Sequence, residues 1–199
     1  KDFNEEVVKV MAKHRKICRL VHLPVQSGSD KILKAMNRRY TCGQYLEEVK
    51  LLRSYFPEAE LTTDIIVGFP GETEEEFEGM KVFLKEAKFA NCGFFAYSRE
   101  PDTAAARMSG QVHPSTKRRR VRELYEVQRE ISEKFLSSFV GKSLEVLCDG
   151  IDYDKNCFVG RAYFSAPEID GKVYFNAREA SQGETYQIKI NRADSYDLY

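Results

Sequence analysis

The chain has 199 residues, 31 Lys and Arg against 31 Asp and Glu, and 42% hydrophobic residues, the profile of a folded, soluble polypeptide of one or two domains. No apolar run approaches the ~20 residues that cross a bilayer, and Lys1 opens no signal-peptide pattern, so neither membrane insertion nor secretion is expected, the location reads as cytoplasmic, and the chain looks cut from a longer one. The zero net charge hides an asymmetry, with 24 basic and 21 acidic residues up to Ser138 but 7 basic and 10 acidic from Phe139 onward.

Up to Ser138, helix-period and strand-like segments alternate. Phe3 to Arg15 places Phe3, Val7, Val10, Met11 and His14 on one helical stripe, and Ile17 to Val25 is a short apolar run. Ser29 caps a short helix through Met36; Tyr45 to Tyr55 gives the next helical face, stopped by Pro57. Leu61 to Phe69 is a β-branched run typical of a strand buried on both faces. Thr73 to Glu76 forms a capping box that opens a helix through Lys88, its acidic first turn set against the positive dipole end. Asn91 to Ser98 reads as a strand and Ser115 to Phe139 as a long helix with Val121, Leu124, Val127, Ile131 and Phe135 inward. This order predicts an α/β domain over residues 1–137, built of right-handed βα units around a parallel sheet or barrel.

After Gly141 the period becomes two, and no helix is predicted. Leu144, Val146 and Cys148 alternate, followed by strands at Cys157 to Phe164, Val173 to Phe175 and Tyr186 to Ile190, separated by turns at Asp152 to Asn156, Asp170-Gly171 and Gln182-Gly183. Residues 138–199 are therefore expected to form a small all-β barrel. The five cysteines, Cys18, Cys42, Cys92, Cys148 and Cys157, fit neither a disulfide framework nor a zinc pattern, and read as small core residues.

In a parallel barrel the chemistry lies in the loops that leave the carboxyl ends of the strands. Three such loops stand out: Pro24 to Asp30, Gly68 to Thr73, and Tyr97 to Thr103. Gly28, Gly68 and Gly71 permit positive φ or close approach to a ligand, although a glycine turn followed by a helix cap has the same appearance. Gln26, Asp64 and Glu72 are candidates for contacts to ligand hydroxyl or amine groups; Asp64 equally suits a salt bridge within the barrel. His22 and His113 read as packing or loop residues. Lys117, Arg118, Arg119, Arg120 and Arg122 form a basic start to the long helix, either a solvated face paired with Glu123, Glu126 and Glu130 or the surface of a non-enzymatic RNA-binding module.

Three segments carry a more specific signal: His22 to Arg38 (HLPVQSGSDKILKAMNR), Thr62 to Thr73 (TTDIIVGFPGET) and Phe94 to Ala105 (FFAYSREPDTAA). In order and interval they resemble successive blocks of the radical S-adenosylmethionine (SAM) methylthiotransferases, and residues 139 to 199 resemble the TRAM domain that ends them. The resemblance implies the C-terminal half of a partial (βα)6 barrel followed by a TRAM barrel, and SAM as cofactor. It places Gln26 and Ser27, Asp64, Ile66 and Gly68, and Tyr97 and Ser98 around SAM, with Arg99 and Glu100 in the loop that meets the substrate. The full-length family carries two 4Fe-4S clusters. Its C-x-x-x-C-x-x-C motif does not occur here, so no cysteine is assigned as a metal ligand and the chain alone is expected to be inactive.

The family divides by substrate. One branch methylthiolates isopentenyl-adenosine in tRNA; the other, an aspartate of small-subunit ribosomal protein S-twelve. Ser165 to Gly171, Asp194 to Tyr199 and the excess of acidic residues after Phe139 favour the protein substrate, because a surface that reads RNA is basic whereas an acidic one suits a protein rich in Lys and Arg. Glu168 and Asp170 are then the substrate-steering pair, projected into solvent by a turn. Against this, His22 to Gly28 is worded more like the tRNA branch, and Glu100-Pro101-Asp102 replaces the glycine usual before Thr103.

Overall fold

The computed structural model describes residues 3–57 and 59–199. They form two compact units, Lys1–Gln128 and Arg129–Tyr199. The first contains α1 (Glu5–Lys13), β1 (Leu20–His22), α2 (Asp30–Ala35), α3 (Cys42–Tyr55), β2 (Glu60–Val67), α4 (Glu74–Ala87), β3 (Asn91–Ala96), α5 (Ala104–Arg107) and most of α6 (Pro114–Ser137). The strands lie in the order β1-β2-β3, all parallel, as βα alternation requires.

Side-chain caps set the helix starts. Ser29 accepts the Ile32 N–H, and Thr73 and Glu76 close a reciprocal capping box on α4. A second box, Thr41 with Gln44, starts α3 three residues before its apolar face begins. Phe56, Leu52, Leu61, Phe77, Leu84 and Phe89 fill the core between helices and sheet.

Three expectations are corrected. The buried residue of α1 is Val8, while Val7 and Val10 are exposed; α1 meets α3 through polar contacts, Tyr55 Oη to Glu5 at 2.5 Å and the Lys9 ammonium over the Tyr55 ring. In β2, Leu61, Thr63, Ile65 and Val67 are buried while Glu60, Thr62, Asp64 and Ile66 are only half-buried, so a single face is packed. Along α6 and just past its end the buried line runs Arg120, Leu124, Gln128, Ser132, Leu136 and Phe139, with Val121, Val127, Ile131 and Phe135 half-buried on its flank. An apolar count misses this line because half of it is polar and finds partners inside the protein: Gln128 Nε2, for instance, donates to the Phe89 carbonyl at 2.9 Å.

The second unit is a curled antiparallel sheet in the order β6-β5-β4-β7, from β4 (Ser143–Asp152), β5 (Cys157–Arg161), β6 (Val173–Phe175) and β7 (Thr185–Lys189). A bulge between Cys148 and Gly150 bends β4. The strand expected to reach Phe164 stops at Arg161, where the chain turns and Phe164 packs against Phe135 and Phe139 at 5.1 and 5.0 Å. That ring cluster counts the end of α6 with the second unit. Asp170-Gly171 is not a two-residue hairpin, since β5 and β6 are joined by a longer loop. Among the described residues no helix is long and apolar enough to cross a membrane.

Candidate functional site

Because β1, β2 and β3 are parallel, their carboxyl ends lie on one side of the sheet, and the three loops singled out above emerge there together. After β1, Thr63 accepts the Val25 N–H at 2.9 Å and donates to the Leu23 carbonyl at 2.8 Å, where the Tyr45 hydroxyl also donates at 2.7 Å. So held, Gln26 adopts φ 72° and pairs with β2, donating to Asp64 O at 2.9 Å and accepting from Ile66 N at 3.0 Å. A non-glycine residue in this region is sustained only where its surroundings over-determine it, as they do here. The Gln26 side chain is half-buried. Ser27 is fully buried, and its hydroxyl accepts the Ser29 N–H at 3.2 Å, so it shapes the loop from within and presents nothing to a ligand.

After β2, Gly68 has φ 74° and donates its N–H to Glu72 Oε1 at 3.0 Å. A Cβ on Gly68 would stand 2.5 Å from Lys117 Cγ, so part of the reason for this glycine lies inside the protein. Glu72 is a correction: its side chain has no exposed surface and receives Arg120 Nη1 at 2.6 Å, so it anchors the loop and does not contact a ligand. Burial pushes its carboxyl up, opposed by the Arg120 charge and the Gly68 N–H. Gly71 N–H donates to Gly110 O at 2.9 Å, closing the loop against the segment before α6.

After β3, the Tyr97 ring meets Phe69 edge-on at 5.2 Å, and Lys117 Nζ donates to the Tyr97 carbonyl at 2.7 Å while lying 4.8 Å from its ring centre. The Tyr97 hydroxyl is buried without a hydrogen-bond partner among the described residues. Ser98, Arg99 and Glu100 are exposed; Arg99 Nε donates to the Ala106 carbonyl at 2.9 Å, which holds this loop against α5.

Between these loops lies the half-buried face of β2. Asp64 Oδ2 lies 3.5 Å from His22 Nε2, and His22 Nδ1 is 2.9 Å from Thr62 Oγ1. Across from Asp64, a Cβ on Gly93 would fall 2.6 Å from Asp64 Oδ1 and 2.8 Å from the Phe95 ring. Carboxylate, imidazole and hydroxyl groups thus share this face with the apolar Ile66, a set that suits a ligand with an apolar body and amine and hydroxyl groups. No three His, Cys, Asp or Glu side chains converge as a metal seat among the described residues.

Residues 1–84 match the Radical SAM superfamily and residues 140–199 the TRAM domain. The chain is 37% identical over 198 residues to the ribosomal protein uS12 methylthiotransferase RimO of Lachnoclostridium phytofermentans, 40% over 195 residues to that of Thermotoga maritima, and 42% over 195 to that of a Thermoanaerobacter species. These alignments take in 98 to 99% of this chain and 44 to 45% of each relative. Over almost its whole length the chain is similar to radical SAM methylthiotransferases.

The chain spans about 45% of the length of these methylthiotransferase relatives. Of the residues that the family resemblance points to, the structure brings Gln26, Asp64 and Ile66 together through backbone bonds, and groups Gly68 and Tyr97 around Lys117. Of the pair in the TRAM unit, Glu168 is exposed with φ 63°, whereas Asp170 is half-buried and accepts the Ala166 N–H at 2.7 Å, a correction to its projection into solvent. His22, Gly93 and Lys117 were missed as parts of the site. Gly93 carried a readable signal, since an isolated glycine inside a strand marks a close approach.

Proposed function

We propose that this chain is part of a protein that methylthiolates an aspartate of ribosomal protein uS12, residues 1–137 supplying half of the radical SAM barrel and residues 138–199 the TRAM barrel. What carries the reading is the agreement of the relatives cited above, three uS12 methylthiotransferases that match almost the whole chain. Bound SAM, with an iron–sulfur cluster held elsewhere in the protein, would supply the radical that activates an unreactive carbon and the groups transferred to it.

The residues of this chain hold and orient. Gln26, whose backbone is locked to β2, offers its amide to the ligand's polar end, and Asp64 offers a carboxylate to an amine or hydroxyl. Ile66 faces the apolar ring system, and Gly68 lets the chain turn beside it. Tyr97 and Ser98 close the rim, while Arg99 and Glu100 face the incoming protein. Glu168 supplies negative charge on the TRAM unit toward a basic partner. Glu72, Arg120 and Ser27 keep the loops in shape without touching either ligand.

The test is a competition. The intact protein that carries this chain, reconstituted with clusters, is offered uS12 and isopentenylated tRNA together, and methylthio products are identified by mass spectrometry. Modification of uS12 is the expected result; modification of the tRNA alone would overturn the reading.

A further inference from the structure

Phe95 is a large apolar residue that β3 leaves 56% exposed. Its partner in the ladder is Ile66, and Gly93, two residues earlier, is the partner of Asp64. Residues opposite one another in a parallel pair point to the same side, so Gly93 and Phe95 continue the half-buried face of β2 onto β3. The ring reaches back along its own strand. A Cβ on Gly93 would stand 2.8 and 3.2 Å from Cε2 and Cζ of Phe95 and 2.6 Å from Asp64 Oδ1. The far end of the ring and the carboxylate thus converge on the space that this glycine leaves open.

Neither group is used up within the protein. Phe94 meets the Tyr125 ring at 5.0 Å, whereas Phe95 stacks on no ring and carries no cation among the described residues. Asp64 has His22 as its ion-pair partner, at 3.5 Å, and no Lys or Arg among the described residues. An aromatic ring is positive at its edge and negative over its faces. A carboxylate at the edge is therefore well placed, and it adds to the pull of the free face on a positive charge. With Ile66 alongside, the set suits a cation wrapped in alkyl groups.

We infer that Phe95 and Asp64 seat the sulfonium centre of SAM, and that Gly93 is glycine so that both can reach it. The inference rests on the SAM reading above and deepens it. A sulfonium carries three carbon substituents and has no hydrogen to donate, so a π face and a nearby carboxylate are the partners suited to it, as they are to quaternary ammonium groups. Asp64 Oδ1 serves the cation, which leaves Oδ2 for a hydrogen-bonding group of the same ligand. Charge then becomes the basis on which this face tells SAM from S-adenosylhomocysteine, the neutral thioether that remains once SAM has given up its methyl group.

The experiment is calorimetry on the intact protein that carries this chain, with clusters in place and no reductant, using SAM and S-adenosylhomocysteine as separate ligands. Recovery of intact SAM is checked after each titration, and uS12 methylthiolation is followed in the same preparation. Phe95→Leu is expected to melt close to the parent, since the ring is more than half exposed, and to lose about five- to thirtyfold in SAM affinity while S-adenosylhomocysteine changes by less than about twofold. Phe95→Tyr should keep the preference for SAM. Fluorination of the Phe95 ring, which drains its negative face at nearly constant shape, should lower SAM affinity step by step with each added fluorine. Gly93→Ala should impair SAM binding in a protein that still folds. Equal binding of the two ligands by the parent, equal losses of both in Phe95→Leu, SAM affinity indifferent to fluorination, or a folded Gly93→Ala that binds SAM as the parent does would each overturn the inference and leave the proposed function standing. A parent that binds neither ligand and leaves uS12 unmodified would overturn both readings.

Discussion

Arg120 reaches 48 residues back along the chain to place Nη1 2.6 Å from Glu72 Oε1, and the same carboxylate oxygen receives the N–H of Gly68. The shape of the glycine loop after β2 therefore depends on a charge carried by α6. Arg120 Nη2 extends the link to Glu74 at 2.9 Å, in the first turn of α4.

Removing one member of a buried pair strands the other. Arg120→Met is expected to cost about 3–5 kcal/mol, because Glu72 is left charged and buried, whereas Arg120→Met with Glu72→Leu recovers much of that loss. Urea denaturation of the single and double variants checks the direction. Hydrogen exchange at residues 68 to 73 should rise in Arg120→Met before global stability is lost. An additive double variant would refute the coupling.

Gly68 has two reasons to be glycine, and a double variant separates them. Gly68→Ala strains a left-handed residue by about 1–2 kcal/mol and drives its Cβ toward Lys117 Cγ. Truncation of Lys117 to alanine removes the clash, so thermal stability should return in part. SAM binding, measured by calorimetry on the intact protein, should stay impaired, because close approach to the ligand is a separate demand. Full recovery of binding in Gly68→Ala with Lys117→Ala would show that the glycine serves packing alone.

Glu60, at the start of β2, has its carboxyl pushed up to about 7 by burial, against an opposing pull from Arg53. A raised folded-state value means that its contribution to stability is full below the unfolded value of about 4.5 and is lost as pH rises through about 7. Glu60→Gln should therefore gain on the parent between pH 5 and 8, by about 1–3 kcal/mol at the upper end. Parallel melting curves at the two pH values test the sign; an equal difference at both would exclude Glu60 as its source.

In the TRAM unit, a Cβ on Gly171 would collide with the carbonyl of Tyr196. Backbone cannot retreat as a flexible side chain can, and the Lys172 N–H is tied to Asp197 at 2.8 Å beside it. Gly171→Ala should therefore destabilise the second unit by several kcal/mol, on the scale of exceptional point variants. Hydrogen exchange resolved by unit should show the loss in β5 and β6, with β1 to β3 unaffected.

The alternation of helix and strand and the change to period two after Gly141 were legible because burial writes a period into sequence. Thr73 announced its capping box by residue type, and the blocks around Gln26, Gly68 and Tyr97 carried the resemblance to the radical SAM methylthiotransferases. Side-chain pairings between distant segments left no such trace. Nothing local to Glu72 says that Arg120 will neutralise it, so Glu72 read as a ligand contact. His22 looked like packing because Asp64 and Thr62, which hold it, lie 42 and 40 residues away. On α6 the buried polar residues hid the inward line, as partners such as Glu72 for Arg120 and the Phe89 carbonyl for Gln128 are ones that periodicity cannot foresee.

The split burial of β2 divides its eight residues by parity. Leu61, Thr63, Ile65 and Val67 answer to the core, while Thr62, Asp64 and Ile66 lie on the half-buried face, against which the proposed function sets the ligand. A saturation library scored for folding alone should show intolerance at every second position. Scored for ligand affinity in variants that still fold, the same library should show sensitivity in the opposite phase. On the proposed function, ligand preference could thus drift through the even-numbered positions without a toll on the fold, and it is there that selection for a new small molecule would first leave its marks.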